Sequence, residues 1–151
     1  MNLIIRDYKQ SDKNAVLRLL QLNTPLYFDI KEEQGLVYYL DYEIDNYFIV
    51  ESNNELIGSG GINFKLIDDK RIGIISWDII HPDYQGKGIG RKLLEYRLGI
   101  LKNDLSLTEI IVRTSQDVFK FYENSGFKLK EVIYDYWSEG YDLYAMQLEK
   151  N

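Results

Sequence analysis

The stretch HPDYQGKGIGRKLLE, residues 81–95, carries the most specific pattern in this chain. Its glycines Gly86, Gly88 and Gly90 lie between an apolar run and a helical pattern, although glycine destabilises a helix interior by roughly 0.5–1 kcal/mol relative to alanine. The first turn of a helix exposes unpaired N–H groups and a partial positive charge. Because glycines lack Cβ atoms, an anion can come close to those groups, and basic side chains in the stretch add positive charge. The stretch therefore predicts a phosphate-binding loop.

Two common phosphate-binding motifs do not fit this loop. A P-loop has two glycines spaced five apart and then Lys and Ser or Thr, whereas Arg91 and Lys92 follow Gly90 without a hydroxyl. A dinucleotide-binding fingerprint needs a third glycine where this chain has Arg91, and it follows the first strand rather than the fourth. From the residues alone, a plain glycine-rich turn before a helix, without a bound phosphate, remains the alternative interpretation.

Length and composition indicate one domain over residues 1–151, without a linker or repeat. The chain has no cysteine and one histidine, which excludes disulfides, thiolate chemistry and a histidine-rich metal site, so no metal is expected. A net charge of −6 argues against nucleic acid and favours a cationic small molecule or a basic peptide as the partner. Because no apolar run is long enough for a membrane helix or signal peptide, we expect a cytoplasmic protein without membrane contact.

Hydrophobic patterning predicts the element order β-α-α-β-β-β-α-β-α-β-β. Helical spacing at 16, 19 and 20 marks the first helix, which Ser11 or Asp12 can cap. The strand before the glycine loop is followed by a helix from about Gly90 to Leu101 and then by the strand LTEIIVRT. This strand–helix–strand unit predicts two neighbouring parallel strands joined by a crossover helix. The fold class is therefore α/β (α+β) with a mixed sheet.

The glycine stretch closely resembles the acetyl-CoA-binding signature of the GNAT superfamily of N-acetyltransferases, Gln/Arg-x-x-Gly-x-Gly/Ala. Gln85, Gly88 and Gly90 occupy its three fixed positions. The segment DVFKFYENSGFK is similar to the family's helix and Gly-Phe segment, and the terminal YDLYAMQLEK is similar to its last strand. The element order is also the family's, so the resemblance covers nearly the whole chain. It implies a GNAT-like, mostly antiparallel sheet of about seven strands flanked by about four helices.

The resemblance also implies how acetyl-CoA binds. Backbone N–H groups of the loop would hold the pyrophosphate, and the pantetheine arm would run beside the strand residues Asp78, Ile79 and Ile80, where two parallel strands splay apart. The family often has an asparagine at the position of Ser115, so Ser115 or Gln116 would replace that contact. The implied coenzyme-binding residues are Asp78, Ile79, Ile80, Gln85, Gly86, Lys87, Gly88, Ile89, Gly90, Arg91, Ser115 and Tyr122.

Two residues are candidates for the chemistry. Tyr122 matches the family's tyrosine near the coenzyme sulfur and would protonate the leaving thiolate; the alternative is a core tyrosine. Asp78 interrupts an apolar strand, where a carboxylate is unfavourable without a partner. It is either a general base, or a holder of a cationic substrate, or one half of a structural ion pair. Strand alternation places Ser76, Asp78 and Ile80 on one face.

The resemblance implies an acceptor pocket formed by the region between the first two helices and by the last hairpin, and both regions are rich in aromatic and acidic residues. These are Tyr27, Phe28, Asp29, Glu32, Glu33, Tyr134, Asp135, Tyr136, Trp137 and Glu139, and ordinary surface is the alternative. The implied activity is transfer of the acetyl group from acetyl-CoA to a primary amine of a small molecule or peptide by direct attack in a ternary complex. A non-catalytic acyl-CoA-binding module on the same fold is the alternative. The protein would be a monomer or a homodimer.

Overall fold

Seven strands and four helices follow one another in the predicted order in a computed structural model, which describes residues 2–149. Met1, Lys150 and Asn151, at the ends of the expected domain, lie outside the described residues. The strands are β1 Leu3–Asp7, β2 Asn46–Ser52, β3 Glu55–Ile67, β4 Lys70–Ile80, β5 Leu107–Thr114, β6 Lys128–Ser138 and β7 Tyr141–Glu149. The helices are α1 Lys13–Leu22, α2 Glu33–Tyr38, α3 Ile89–Lys102 and α4 Phe119–Glu123.

All seven strands form one sheet in the order β1-β2-β3-β4-β5-β7-β6. Every neighbouring pair is antiparallel except β4 and β5, which are parallel and are joined by α3, so the predicted crossover unit is confirmed. Pairing between β4 and β5 ends at Ile75 and Val112, although β4 continues to Ile80. Beyond this point the two strands separate and leave a gap inside the sheet.

The two faces of the sheet bury separate hydrophobic cores. The larger core packs α3 and α4 against one face and includes Leu94 and Phe127. The smaller core packs α1 and α2 against the other face and includes Leu19 and Leu36. The sheet therefore separates two helical layers, and the gap between β4 and β5 connects them.

A β-bulge in β4 changes which face its side chains occupy. Ser76 pairs with Gly61 but Ile79 pairs with Ser59, so Trp77 and Asp78 share one position opposite β3, and Trp77 has a positive φ of 50°. The expected common face for Ser76 and Asp78 is therefore wrong. Ser76 faces the α2 layer, whereas Asp78 faces α3, because the extra residue in a bulge inverts the alternation.

The start of α1 also differs from the expectation. Neither Ser11 nor Asp12 caps this helix through its side chain. The Asp12 carboxylate instead accepts the N–H of Lys9 at 2.8 Å and pairs with Arg6 at 2.8 Å. These stronger charge-assisted contacts occupy the carboxylate and fasten β1 to the segment before α1. At its other end α1 runs to Leu22, where the loop that precedes α2 begins.

Candidate active site

The glycine loop ends at the N-terminus of α3, as predicted. Gly86 and Gly88 have φ of 76° and 81°, in the left-handed region that favours glycine, and Gly88 is the residue before the helix. A Cβ atom built on either would meet no protein atom within 4 Å, so the backbone there is open to a ligand. A Cβ atom on Gly90 would lie 3.4 Å from Phe121, which is an ordinary van der Waals contact, so Gly90 packs against α4 rather than facing open space. This cradle at a helix N-terminus fits a pyrophosphate.

Gln85 fastens the loop to the end of β4 rather than pointing into the cradle. Its amide nitrogen lies 2.9 Å from the Asn23 oxygen and 3.2 Å from the Ile80 carbonyl oxygen. Asn23 is 3% exposed and also donates to the Ile80 carbonyl at 3.0 Å. The N–H of Gln85 donates to Pro82 at 3.3 Å, so the open N–H donors of the loop begin at Gly86. Asn23, the residue directly after α1, therefore ties the end of that helix to both predicted coenzyme-binding segments.

One cavity of about 980 Å³ passes through the gap between β4 and β5. Its α3 side is lined by the glycine loop, and its other side by the loop after α1 and by Trp137 of the last hairpin. Asp78 and Tyr122 line it as well. The cavity thus connects the phosphate cradle on one face with an aromatic pocket on the other.

Asp78, Tyr122 and Arg97 form a cluster at the gap. Tyr122 donates its hydroxyl proton to Asp78 Oδ2, and Asp78 Oδ1 forms an ion pair with Arg97, whose side chain is completely buried. Arg97 also donates to the carbonyl oxygens of Gly61 at 3.1 Å and Leu93 at 3.2 Å. Asp78 therefore forms the ion pair that was one alternative expected from the sequence, and it also accepts a hydrogen bond from Tyr122, the other candidate residue.

The cluster keeps the phenol of Tyr122 protonated. Burial raises the pKa of Tyr122 well above its usual range, and the neighbouring Asp78 charge raises it further, whereas Arg97 opposes both. Burial lowers the pKa of the Arg97 guanidinium, but Asp78 outweighs burial and the net direction is upward. At neutral pH the tyrosine is therefore a proton donor and the arginine a cation.

Of the two side chains considered for the missing asparagine contact, Ser115 lines the cavity, together with Asn124. Gln116 is engaged elsewhere, since it donates to the Gly140 carbonyl at 2.7 Å and accepts the N–H of Asp142 at 2.9 Å. These two bonds hold the Gln116 side chain against the last hairpin, and Gln116 does not line the cavity.

The other end of the cavity is aromatic and carries one half-buried carboxylate. Phe28 stacks on Trp77 with ring centroids 6.2 Å apart, and burial raises the pKa of Glu32. Tyr141 donates to the Pro25 carbonyl at 2.5 Å, which joins the last hairpin to the loop after α1. Of the expected acceptor residues, the cavity lining includes Tyr27, Phe28, Glu32 and Trp137, and it does not include Asp29, Glu33, Tyr134, Asp135, Tyr136 or Glu139.

Sequence reasoning missed Arg97 and Asn23. Arg97 stands on the apolar face of α3, between Leu93 and Leu101, where helical spacing calls for another apolar residue. A second signal is the run of glycines in β3, because glycine in a strand often marks a close approach. A Cβ on Gly60 would lie 2.8 Å from an Arg97 nitrogen.

Comparisons with known proteins agree with this geometry. Residues 43–129, more than half of the chain, match the model of the acetyltransferase (GNAT) domain. The chain is 29% identical to an N-alpha-acetyltransferase of Saccharolobus solfataricus, over 94% of this chain and 90% of that protein. It is 28% identical to an amino-acid acetyltransferase of Salmonella arizonae, over 73% of this chain but 24% of that protein.

Solved structures show the same fold. The ribosomal-protein-S18-alanine N-acetyltransferase from Escherichia coli superposes with a TM-score of 0.79 at 18% identity, covering 99% of this chain and 95% of that one. A chain of the NatC complex bound to Gag peptide and CoA superposes with a TM-score of 0.80 at 18% identity, covering 100% of both. No helix within residues 2–149 is both long and apolar enough to cross a membrane. Because the family model matches more than half of the chain, and the related sequences and the shared fold agree with it, the chain belongs to the GNAT acetyltransferase family and is an acetyltransferase.

Proposed function

We propose that this protein transfers the acetyl group of acetyl-CoA to a primary amine of a small molecule or peptide by direct attack in a ternary complex. The continuous cavity carries the proposal, because a coenzyme entering from the glycine loop and an amine entering from the aromatic side would meet at Asp78 and Tyr122. Acetyl-CoA, when bound, supplies the acetyl group as a reactive thioester. We also propose that residues 1–151 form a single domain, because both hydrophobic cores pack against the same sheet.

The glycine loop supports the coenzyme assignment. N–H groups from Gly86 to Arg91 would hold the pyrophosphate, with positive charge from Lys87. Beyond the last pair of β4 with β5, the main chain from Asp78 to Ile80 faces the gap and would contact the pantetheine arm. Ser115 would contact the coenzyme from the β5 side.

Tyr122 and Asp78 would handle the protons. The raised pKa keeps the Tyr122 phenol protonated, which a general acid for the leaving thiolate requires. Asp78 lines the cavity, pairs with Arg97 and is in hydrogen-bond contact with that phenol, which supports a role in taking up the proton that the amine releases. No metal is part of this proposal.

The acceptor would be a cationic amine with an apolar portion. Phe28 and Trp77 offer aromatic faces, which attract both apolar groups and cations. Glu32 adds a carboxylate on the same side. The Saccharolobus solfataricus relative is an N-alpha-acetyltransferase and the Salmonella arizonae relative is an amino-acid acetyltransferase, and both names support an amine acceptor.

The experiment has two parts. CoA at 100 times its dissociation constant should stabilise the protein by about 2.7 kcal/mol without added metal, measured as a thermal shift. Free thiol should then appear from acetyl-CoA only when an amine from a panel of amino acids, short peptides and polyamines is present. Binding of CoA without amine-dependent thiol release would point to the non-catalytic module, and no shift at millimolar CoA would reject the coenzyme site.

A further inference from the structure

Burying the charged side chain of Arg97 costs free energy, because the guanidinium loses its hydration. Its side chain is completely inaccessible, and its helix neighbours on the same face are leucines. A buried ion pair rarely stabilises a fold more than apolar residues of similar size would, because both charges lose their water. Stability alone therefore gives little reason for an arginine here, and a role in the function of Asp78 is the simpler explanation.

The contacts around Arg97 orient its guanidinium toward the carboxylate of Asp78. Its backbone contacts to Leu93 and Gly61 fix the guanidinium, and the absence of a Cβ on Gly60 leaves the space through which it reaches Asp78. Asp78 then has one oxygen on Arg97 and the other on Tyr122. The three side chains come from α3, β4 and α4 and form a continuous chain that ends at the cavity.

The direction of the hydrogen bonds suggests how a proton moves. Tyr122 has one hydroxyl proton and donates it to Asp78, so the lone pairs of its oxygen remain for a donor in the cavity. A neutral amine that enters the cavity can donate to that oxygen. Its proton can then pass to Tyr122 while the proton of Tyr122 passes to Asp78.

We propose that Tyr122 and Asp78 act as one proton relay and that Arg97 is its positioning residue, keeping Asp78 ionised and aimed at Tyr122 at the start of each turnover. This inference rests on the proposed acetyl transfer. The new N–C bond forms as the amine proton moves through Tyr122 to Asp78. The C–S bond then breaks with its electron pair on sulfur, Tyr122 gives a proton to sulfur, and Asp78 returns its proton to Tyr122. The products are the amide and the thiol, and all three side chains regain their starting states.

Removing the charge of Arg97 tests this role. In Arg97→Met, the carboxyl of Asp78 loses its cationic partner, and burial then favours the protonated form, which cannot accept a proton. We expect kcat to fall about 10²-fold at neutral pH, within the usual contribution of a general base, and to recover as pH rises. The other titratable groups near Asp78 and Arg97 are the tyrosines Tyr39, Tyr47 and Tyr122, all with raised pKa, so none of them produces a rise in activity between about pH 6 and 8.

Two further variants separate the relay from a packing role. Arg97→Lys keeps the positive charge and should retain most of the rate with the pH profile of the wild type. Arg97→Met combined with Asp78→Asn has no buried charge and should fold, but it should stay slow at every pH because no proton acceptor remains. Arg71→Met is the matched control, since it removes an arginine that pairs with Asp104 near the opposite end of β4. It should leave kcat unchanged.

The measurements are kcat with saturating acetyl-CoA from pH 6 to 9, the CoA dissociation constant by calorimetry, and folding by circular dichroism. A wild-type rate and pH profile in Arg97→Met would overturn the relay. So would a double variant that folds and turns over like the wild type, which would leave Arg97 and Asp78 with a structural role only. If the wild type itself shows no amine-dependent turnover, the proposed function fails first and the relay with it.

Discussion

The hydroxyl of Tyr122 donates its proton to the carboxylate of Asp78, although the two residues lie 44 positions apart. One comes from α4 and the other from the bulge of β4, and both line the cavity where β4 and β5 separate. Because the phenol is buried beside a negative charge, its proton is retained at neutral pH. The contact links the two residues that the sequence marks as candidates for the chemistry.

Replacing Tyr122 by phenylalanine removes one oxygen and keeps the ring, so packing against Phe121 and Phe127 should survive. We expect kcat to fall by about 10²-fold, at the low end for acid–base groups because a thiolate leaves readily, while the CoA dissociation constant changes little. Steady-state kinetics and calorimetry measure the two effects. Tyr96→Phe, on the exposed side of α3, is the control, and wild-type kcat in Tyr122→Phe would return Tyr122 to a core role.

Replacing Gly88 by valine should abolish CoA binding in a folded protein. The backbone at Gly88 has a φ of 81°, which a β-branched residue adopts only with strain, and the new side chain would fill the open cradle. Calorimetric titration with CoA provides the measurement. Gly99→Val, which lies within α3 and outside the left-handed region, should bind CoA normally. Unchanged affinity in folded Gly88→Val would show that the loop is only a turn.

Replacing Asn23 by leucine should weaken both stability and CoA binding. The change removes the buried partner of the Gln85 amide and one donor to the Ile80 carbonyl, and unsatisfied buried polar groups cost about 1–3 kcal/mol. Urea unfolding should show a loss of that size, with a lower CoA affinity because the loop is no longer held. Asn103→Leu, at the exposed end of α3, should change the free energy of unfolding by less than about 0.5 kcal/mol.

Asp104 should contribute to acid sensitivity. Hydrogen bonds from Ser106 and from Arg71 lower the pKa of its carboxyl from 3.8 to about 2. A depressed pKa in the folded state adds stability above the unfolded value, and this contribution is lost as pH falls from about 4 to about 2. Over this range the free energy of unfolding should fall less steeply in Asp104→Asn than in the wild type. Glu139→Gln, in the exposed turn between β6 and β7, is the control, and equal slopes for Asp104→Asn and wild type would contradict the assignment.

Much of the fold was accessible from local patterns in the sequence. The order of strands and helices, the tight turns at Asn53 and Asp68, and the parallel pair β4 and β5 all follow from periodicity and turn residues over short windows. The conformation of the glycine loop was equally predictable, since it depends on glycines at a few consecutive positions. The helix boundary at Ile89 lies within one residue of the expected start.

The details of the cavity depended on contacts that no local pattern contains. The bulge at Trp77 arises from the pairing of β4 with β3, and it moved Asp78 to the face of α3. Four of the ten expected acceptor residues line the cavity, and Trp137 is the one among them that comes from the last hairpin, whose register is irregular between Ile133 and Ser138.

The sequence by itself therefore determined the class of fold, the glycine loop before α3 and the identity of two candidate catalytic residues, because each depends on residues close together in the chain. Only the tertiary structure decided that Asp78 meets both Arg97 and Tyr122 and that Gln85 is held by Asn23. Burial makes those partners necessary, since a charge or an amide removed from water must find its hydrogen bonds inside the protein. Which partner it finds is set by the packing of α1, α3 and α4 on the sheet.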